Sequence, residues 1–372
     1  MKSNYRYYIS EPSIGTKERE YMNEAFDSGW ISSKGPFISK FENEFAKFSS
    51  TKFAVSCSNG TAALHLAVKA LGIREGDEVI VPNLTFASPA NVVIYEKAKP
   101  VLVDVDKKYW CIDPDKVEEN ITKKTKAIIV VHLYGHPTDM GKIMNLAKEH
   151  DLKVIEDCAE AHGATYKGMK VGSIGDIGCF SFYGNKIITT GEGGIITTNN
   201  QELAEKITIL RDHGMRPSKR YWHDEVGYNY RMTNIQAAIG IAQMESIKEK
   251  ILKRKWIARK YSEYINDNAE LQSEMPWASN VYWLPTLLLK ENTLTVSRDS
   301  LMVLLAKEGV ESRPVFYPLN EMQPYKSELS FPNSNYVSYH GISLPVSNTF
   351  DEEDIRFISN VFNEAITKTS QQ

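Results

Sequence analysis

The chain is poor in the features that would commit it to several common classes of protein. Only four of its 372 residues are cysteine: Cys57, Cys111, Cys158 and Cys179. They form no CxxC pair and no cluster at metal-ligand spacing, so neither a disulfide framework nor a metal site is expected; they read as buried thiols of a cytoplasmic protein. An excess of one charge is also missing, with 44 Lys and Arg against 47 Asp and Glu and a net of −3. That balance argues against nucleic acid as a partner, while leaving room for a local basic pocket that holds a diphosphate. No apolar run is long enough to cross a bilayer, and residues 1–15 lack the apolar centre of a signal peptide, so no membrane partner is expected. GxGxxG and GxxxxGK[ST] are both absent, which removes support for a dinucleotide fold and for a P-loop. Repeats and low-complexity tracts are absent as well.

What is present is a regular alternation. Short apolar runs at 78–81, 100–105, 127–132, 153–156, 177–182 and 195–198 read as strands, with helical patterns at 113–120, 138–149 and 200–213. Pro89 suits the first turn of a helix. Strands separated by helices of this length indicate βαβ units and a mostly parallel sheet, an α/β fold. The length predicts a large domain, 1–245, and a smaller C-terminal α/β domain, 246–372, joined by a long helical connection at about 234–266. The second part is built from a strand at 282–289, a helix at 297–308, a strand at 310–316 and a helix at 351–366. The basic run 248–260 reads as a solvated helix face. Two further helices are expected near the start, at 16–28 and 37–48.

The stretch from Val154 to Gly194 organises the rest. One apolar run delivers Asp157 to a strand end, and a second delivers Tyr183-Gly184-Asn185-Lys186 to another. A glycine-rich turn, Gly191-Glu192-Gly193-Gly194, follows. Open α/β sheets place ligands at such strand ends. A lone loop lysine is ordinarily a solvated charge, and a strand-end aspartate is often a helix cap. Here the lysine follows an aromatic, apolar strand and precedes a flexible turn, an unusual setting for a solubilising charge. An amine can form a Schiff base with a carbonyl, and a carboxylate can hold a pyridinium proton on the same cofactor, which is what pyridoxal phosphate asks of a protein.

Other positions admit two readings. Ser58-Asn59-Gly60-Thr61 opens a helical pattern that ends at Gly72, and it offers either plain N-capping or free N–H groups for a phosphate. His65 within that helix reads as a satisfied core histidine. Phe86 reads, from the residues alone, as a core ring beneath the loop 82–89. The short basic and aromatic segment 216–224 fits one nucleotide diphosphate better than a nucleic acid. Thr233 reads as the N-cap of an amphipathic helix, which makes Asn234 a first-turn residue at least.

As a set, SNGTAALHLA (58–67), EDCAEAHG (156–163), FSFYGNKIITTGEGG (180–194) and GYNYRMTNIQAAIG (227–240) resemble the DegT/DnrJ/EryC1/StrS family over essentially the whole chain. The resemblance implies the aspartate-aminotransferase fold (fold type I), pyridoxal 5′-phosphate as cofactor, and transfer of an amino group from glutamate to a nucleotide-linked keto sugar. It assigns Lys186 and Asp157 to catalysis, and Gly60, Thr61, Phe86, Glu160, Ser181, Asn185 and Asn234 to the cofactor together with them. Asn234 is expected to reach the cofactor of a partner subunit, which implies a homodimer with active sites at the interface, or a dimer of dimers. Trp30, Ser32, Tyr183, His223, Arg231, Arg313 and Tyr317 form the expected substrate-binding set; Arg313 also admits a structural ion pair, and His162 a packing role. Pro89 departs from the small residue common in relatives, which leaves the shape of its loop open. A related sugar 3-dehydratase carries histidine where this chain has Lys186, so the lysine favours transamination. WISSKG (30–35), VHLYGHP (131–137), YWHDEVGYNYRMTN (221–234) and SRPVFYP (312–318) point to the branch that aminates C4 of GDP-4-keto-6-deoxymannose to perosamine for O-antigen and lipopolysaccharide. Amination of another dTDP- or UDP-linked keto sugar is the alternative. A non-catalytic sugar sensor on this fold is more remote, since it would need neither Lys186 nor Asp157.

Overall fold

The structure, a computed structural model, describes residues 5–290 and 297–369, so the outer ends of the two expected domains lie outside the described residues. Strands β1 (Phe53–Cys57), β2 (Glu78–Pro82), β3 (Lys99–Val103), β4 (Thr125–Val131), β5 (Lys153–Asp157), β6 (Thr165–Tyr166), β7 (Met169–Lys170), β8 (Ile177–Ser181) and β9 (Gly194–Thr198) come first. Seven of them form one sheet in the order β1-β9-β8-β5-β4-β2-β3. From β8 to β3 the neighbours are parallel, and helices Ser88–Tyr95, Pro114–Glu119 and Met140–Glu149 lie between successive strands from β2 to β5. β9 runs antiparallel to both β8 and β1. A glycine-rich loop, rather than a crossover helix, joins β8 to β9, and only an antiparallel return is open to such a connection. Every residue of β2, β8 and β9 is buried, as strands covered on both faces must be.

The second sheet is antiparallel and small. Strands β10 (Ala269–Leu271), β11 (Ala278–Ser279), β12 (Thr286–Leu289), β13 (Arg313–Pro314) and β14 (Gly341–Ser343) complete the count, with β10-β12-β14-β13 in one sheet and β11 paired to β6. The strand expected at 282–289 begins only at Thr286: the residues before it lie along the first unit, where the Trp283 N–H donates to the Tyr134 carbonyl at 3.0 Å. The strand expected at 310–316 shrinks to two residues on an edge, because Pro314 lacks a ladder donor there and Val310 bridges to Tyr7 instead. That bridge, with another from Ser10 to Val346, seats the N-terminal residues on the second unit.

The connection breaks at Ser246 into helices Asn234–Glu245 and Ile247–Tyr264. Its basic run is not simply a solvated face, as expected above, because Lys250 and Arg254 are only 6% and 3% exposed. Four apart, they fall on the stripe that carries Ile247, Ile257, Ala258 and Tyr261 into the core. Polar partners make this tolerable: Lys250 Nζ donates to Gln243 Oε1 at 2.6 Å, and Arg254 donates to the carbonyl of Trp283. Pro89 lies in the first turn of its helix, as its missing N–H allows.

Candidate active site

The parallel strands deliver their C-terminal ends to a cavity of about 740 Å³. Asp157 closes β5 there and is 6% exposed. Its Oδ1 accepts from the Ala159 N–H at 3.0 Å, and no hydrogen bond among the described residues reaches its Oδ2. Burial pushes its carboxyl above the usual range, while the positive charge of Lys186 pulls it back. Lys186 leaves the loop after β8, with its N–H held by the Tyr183 carbonyl at 3.0 Å. Its Nζ stands 3.8 Å from Glu160 Oε1 and 3.7 Å from the centre of the Trp283 ring. Burial lowers the basicity of this amine, because the cavity solvates an ammonium poorly.

Glu160 accepts from the Tyr134 N–H at 2.8 Å, and burial lifts its carboxyl to about 7. His162 is packed by the rings of Phe45, Phe180 and Phe182 at 6.5, 5.5 and 5.6 Å; burial drops its imidazole to about 3, so it stays neutral and packs.

Helix Gly60–Ala70 points its N-terminus at the same cavity, capped by Asn59, whose Oδ1 accepts from the Ala62 N–H at 2.8 Å. Gly60 faces β8 so closely that a Cβ there would stand 2.7 Å from Ser181 Cβ. Thr61 Oγ1 and Ser88 Oγ share a hydrogen bond of 2.7 Å. Free helical N–H groups beside the Ser181 and Thr61 hydroxyls form a ready anion cradle. At the mouth the ring of Phe86 is 59% exposed, and it lies 6.0 Å from Phe316. The Asn185 carbonyl accepts from Ser10 and from Trp283 Nε1 at 3.0 and 2.8 Å, while its buried Oδ1 meets no partner among the described residues.

The cavity thus gathers Gly60, Thr61, Phe86, Asp157, Glu160, Ser181, Tyr183, Asn185, Lys186 and Arg313. The other expected residues lie elsewhere in this single chain. Asn234 is fully buried, giving Nδ2 to the Trp30 carbonyl at 2.7 Å and taking the Phe37 N–H on Oδ1 at 3.0 Å, while its N–H holds the Ser32 carbonyl. It pins the 30–37 loop. Arg231 pairs with Asp212 at 2.6 Å, His223 with the His213 carbonyl at 2.9 Å, and Tyr317 with Arg298 at 3.4 Å. Arg313 is 3.3 Å from Glu311. His65 is the satisfied core histidine expected, between Tyr230 at 3.2 Å and Glu96 at 3.0 Å.

Tyr134 and Trp283, which also line the cavity, escaped the reading of site residues. Tyr134 holds a left-handed φ of +55°, and Trp283 comes from the far side of the sequence. No periodicity marks either. His132, Glu156 and Cys158 are close enough to suggest a metal, yet their donors are spent. His132 bonds Glu156 at 3.0 Å and accepts the Thr138 N–H, and Glu156 accepts from Gly172, Ile174 and Gly175. The network braces the strand end behind Asp157.

An anion cradle, a carboxylate with a free oxygen, and a buried amine in one cavity fit phosphate, pyridine nitrogen and aldehyde of pyridoxal phosphate in turn. Fold and site together define a pyridoxal-phosphate enzyme of the aminotransferase type. Residues 12–363 match the DegT/DnrJ/EryC1/StrS aminotransferase family, and the chain belongs to it. It is similar to GDP-perosamine synthase of Escherichia coli O157:H7, 46% identical over 96% of this chain and 97% of that one. The GDP-perosamine synthase of Caulobacter vibrioides is 47% identical over 94% and 95% of the two chains. Among solved structures, the PMP-form of putative sugar aminotransferase Spr1654 from Streptococcus pneumoniae superposes with a TM-score of 0.93 at 28% identity, covering 99% of both chains. No helix among the described residues is long and apolar enough to cross a membrane.

Proposed function

We propose that the chain transfers an amino group from glutamate to C4 of GDP-4-keto-6-deoxymannose, giving GDP-perosamine for surface polysaccharide such as O-antigen. It acts in the cytoplasm as a homodimer whose active sites lie at the subunit interface. The observation that carries this is the buried Lys186 amine in one cavity with the unpaired oxygen of Asp157 and the anion cradle at Gly60, in a chain so similar to GDP-perosamine synthases. Bound pyridoxal phosphate supplies an electron sink for the carbon that loses or gains the proton. Asp157 would keep the ring nitrogen protonated, the N-terminus of the helix Gly60–Ala70 with Thr61 and Ser181 would hold the phosphate, and Phe86 would offer an aromatic surface to the ring. Lys186 Nζ carries the proton, a task that requires a neutral amine, and burial brings that form within reach. Glu160 keeps a carboxyl beside the amine without fixing it as a permanent ion pair, since its own ionisation is held near neutrality.

The test is a half-reaction panel. The pyridoxamine form is mixed with GDP-, dTDP- and UDP-linked 4-keto-6-deoxy sugars, and return of the aldehyde form is followed by absorbance. Fastest return with GDP-4-keto-6-deoxymannose is expected. Preference for a dTDP or UDP sugar would overturn the substrate and leave the aminotransferase standing. Borohydride should fix the cofactor to Lys186 in the wild type and not in Lys186→Ala; wild-type turnover by that variant would overturn the chemistry itself.

A further inference from the structure

We propose that Trp283 is the resting station of the Lys186 amine: the face of its indole holds the ammonium whenever that amine is not bonded to cofactor. The inference rests on the reading of Lys186 as the reactive amine. Nζ lies 3.7 Å from the centre of the indole ring, well inside the range of a cation–π contact.

The ring is held on every side. Its Nε1–H donates to the Asn185 carbonyl at 2.8 Å, its carbonyl accepts from Arg254, and its own N–H donates to the Tyr134 carbonyl at 3.0 Å. Tyr134 stacks on it at 5.9 Å and 15°, and Phe316 stacks on Tyr134 at 5.6 Å and 18°. Trp283 and Tyr134 are 4% and 1% exposed. Their positions are therefore fixed before any ligand arrives. The bond to Asn185 also fixes the peptide immediately before the lysine, so one side chain sets both where the lysine starts and where its amine comes to rest.

A freed lysine needs such a place. An ammonium taken from water into this cavity must be solvated by something. The charged groups facing it are Glu160 at 3.8 Å, Asp157, and the like-charged Arg254, which opposes it. Glu160 is itself reluctant to ionise, so the carboxylates compensate the ammonium only in part. The negative face of an indole does so without titrating, and its attraction is weak enough to release the amine. Trp283 thus acts as a positioning residue, through the lysine.

The test uses cofactor-free protein, where activity plays no part. Lys186 is labelled with an amine-selective reagent at a series of pH values and quantified by peptide mass spectrometry. Only the neutral amine reacts, so the profile gives its midpoint. Losing the ring face in Trp283→Leu should move that midpoint down by about 0.7 unit and speed labelling below it about fivefold, the size of a cation–π contact of ordinary strength. Trp283→Phe, which keeps a ring, should restore part of the shift. A Leu profile superposable on the wild type would overturn the proposal. Should the Leu variant not fold, the emission of Trp283, taken as wild type minus Trp283→Phe, is followed against pH. It should change with the labelling midpoint, and a flat difference across that midpoint would overturn the proposal equally. Borohydride trapping of cofactor on Lys186 in the wild type is run alongside: its failure would sink the reactive-amine reading, whereas an unmoved midpoint sinks only the role of Trp283.

Discussion

Replacing Gly60 by alanine separates the packing of the fold from the anchoring of the cofactor. The new Cβ would stand 2.7 Å from Ser181 Cβ, 3.2 Å from its Oγ and 3.4 Å from its Cα. Because the obstructing Ser181 Cβ is bonded directly to the backbone and cannot swing aside, the helix end and β8 must move apart by several tenths of an ångström. Overpacking of this kind costs about 1–3 kcal/mol, which for a protein of this size lowers the melting temperature by roughly 1–4 °C. The same movement spoils the converging N–H groups at the helix start. Losing one hydrogen bond to a charged phosphate, about 1.5–3 kcal/mol, weakens cofactor binding about ten- to a hundredfold. Gly240→Ala is the control: its Cβ would meet the Phe41 ring at 2.8 Å, inside the helix Asn234–Glu245 and away from the cavity. It should lose stability, offset in part by about 1 kcal/mol of helix propensity, and keep its affinity. Absorbance titration of cofactor-free protein with pyridoxal phosphate, beside thermal scans of the same samples, reads both quantities. If Gly60→Ala melts lower yet binds as tightly as wild type, the phosphate does not sit at this helix end.

Two further outcomes follow from burial. Glu160 has its carboxyl raised to about 7 by burial, so its contribution to stability is fully present below its unfolded value near 4.5 and is lost as pH rises through about 7. Cofactor-free Glu160→Gln should therefore gain on wild type in urea unfolding between pH 5 and pH 8, by on the order of 2–3 kcal/mol; a constant difference across that range would refute the assignment. All four cysteines are buried and free, with Cys57 and Cys111 pushed up to about 12 and Cys158 and Cys179 also raised well above the ordinary thiol. A disulfide exchange reagent should label none in the native protein and four in denaturant, and prompt native labelling would show that the strand ends open.

Six of the seven strands of the central sheet were legible as short apolar runs, most of them followed by a helical pattern; the half-buried edge strand β1 was not. Asp157 and Lys186 were legible for a related reason: a strand end and a glycine-rich turn mark where a charged residue is presented rather than solvated. The second unit was harder. Its strands are two to four residues long, and the Trp283 N–H was claimed by the Tyr134 carbonyl rather than by a ladder. The helix Pro332–His340 and β14 were missed, since a polar, weakly periodic stretch gives no signal until a neighbouring strand needs a partner.

Lys250 and Arg254 show the same limit from the opposite side. Charge in a sequence reads as solvent, and only the packed helix reveals that two cations sit on the buried stripe, held by carbonyl and amide oxygens. Local order decided what the chain could state alone: the alternating elements, the caps and turns, and the strand ends that present Lys186 and Asp157. Everything that depends on residues distant in sequence meeting in space was settled by packing. The shelf of Trp283 on Tyr134, the closeness of Glu160 to Lys186 and the burial of Arg254 join segments more than a hundred residues apart or on separate elements. No local pattern records such meetings, because their free energy is gained only when segments distant along the chain pack against one another.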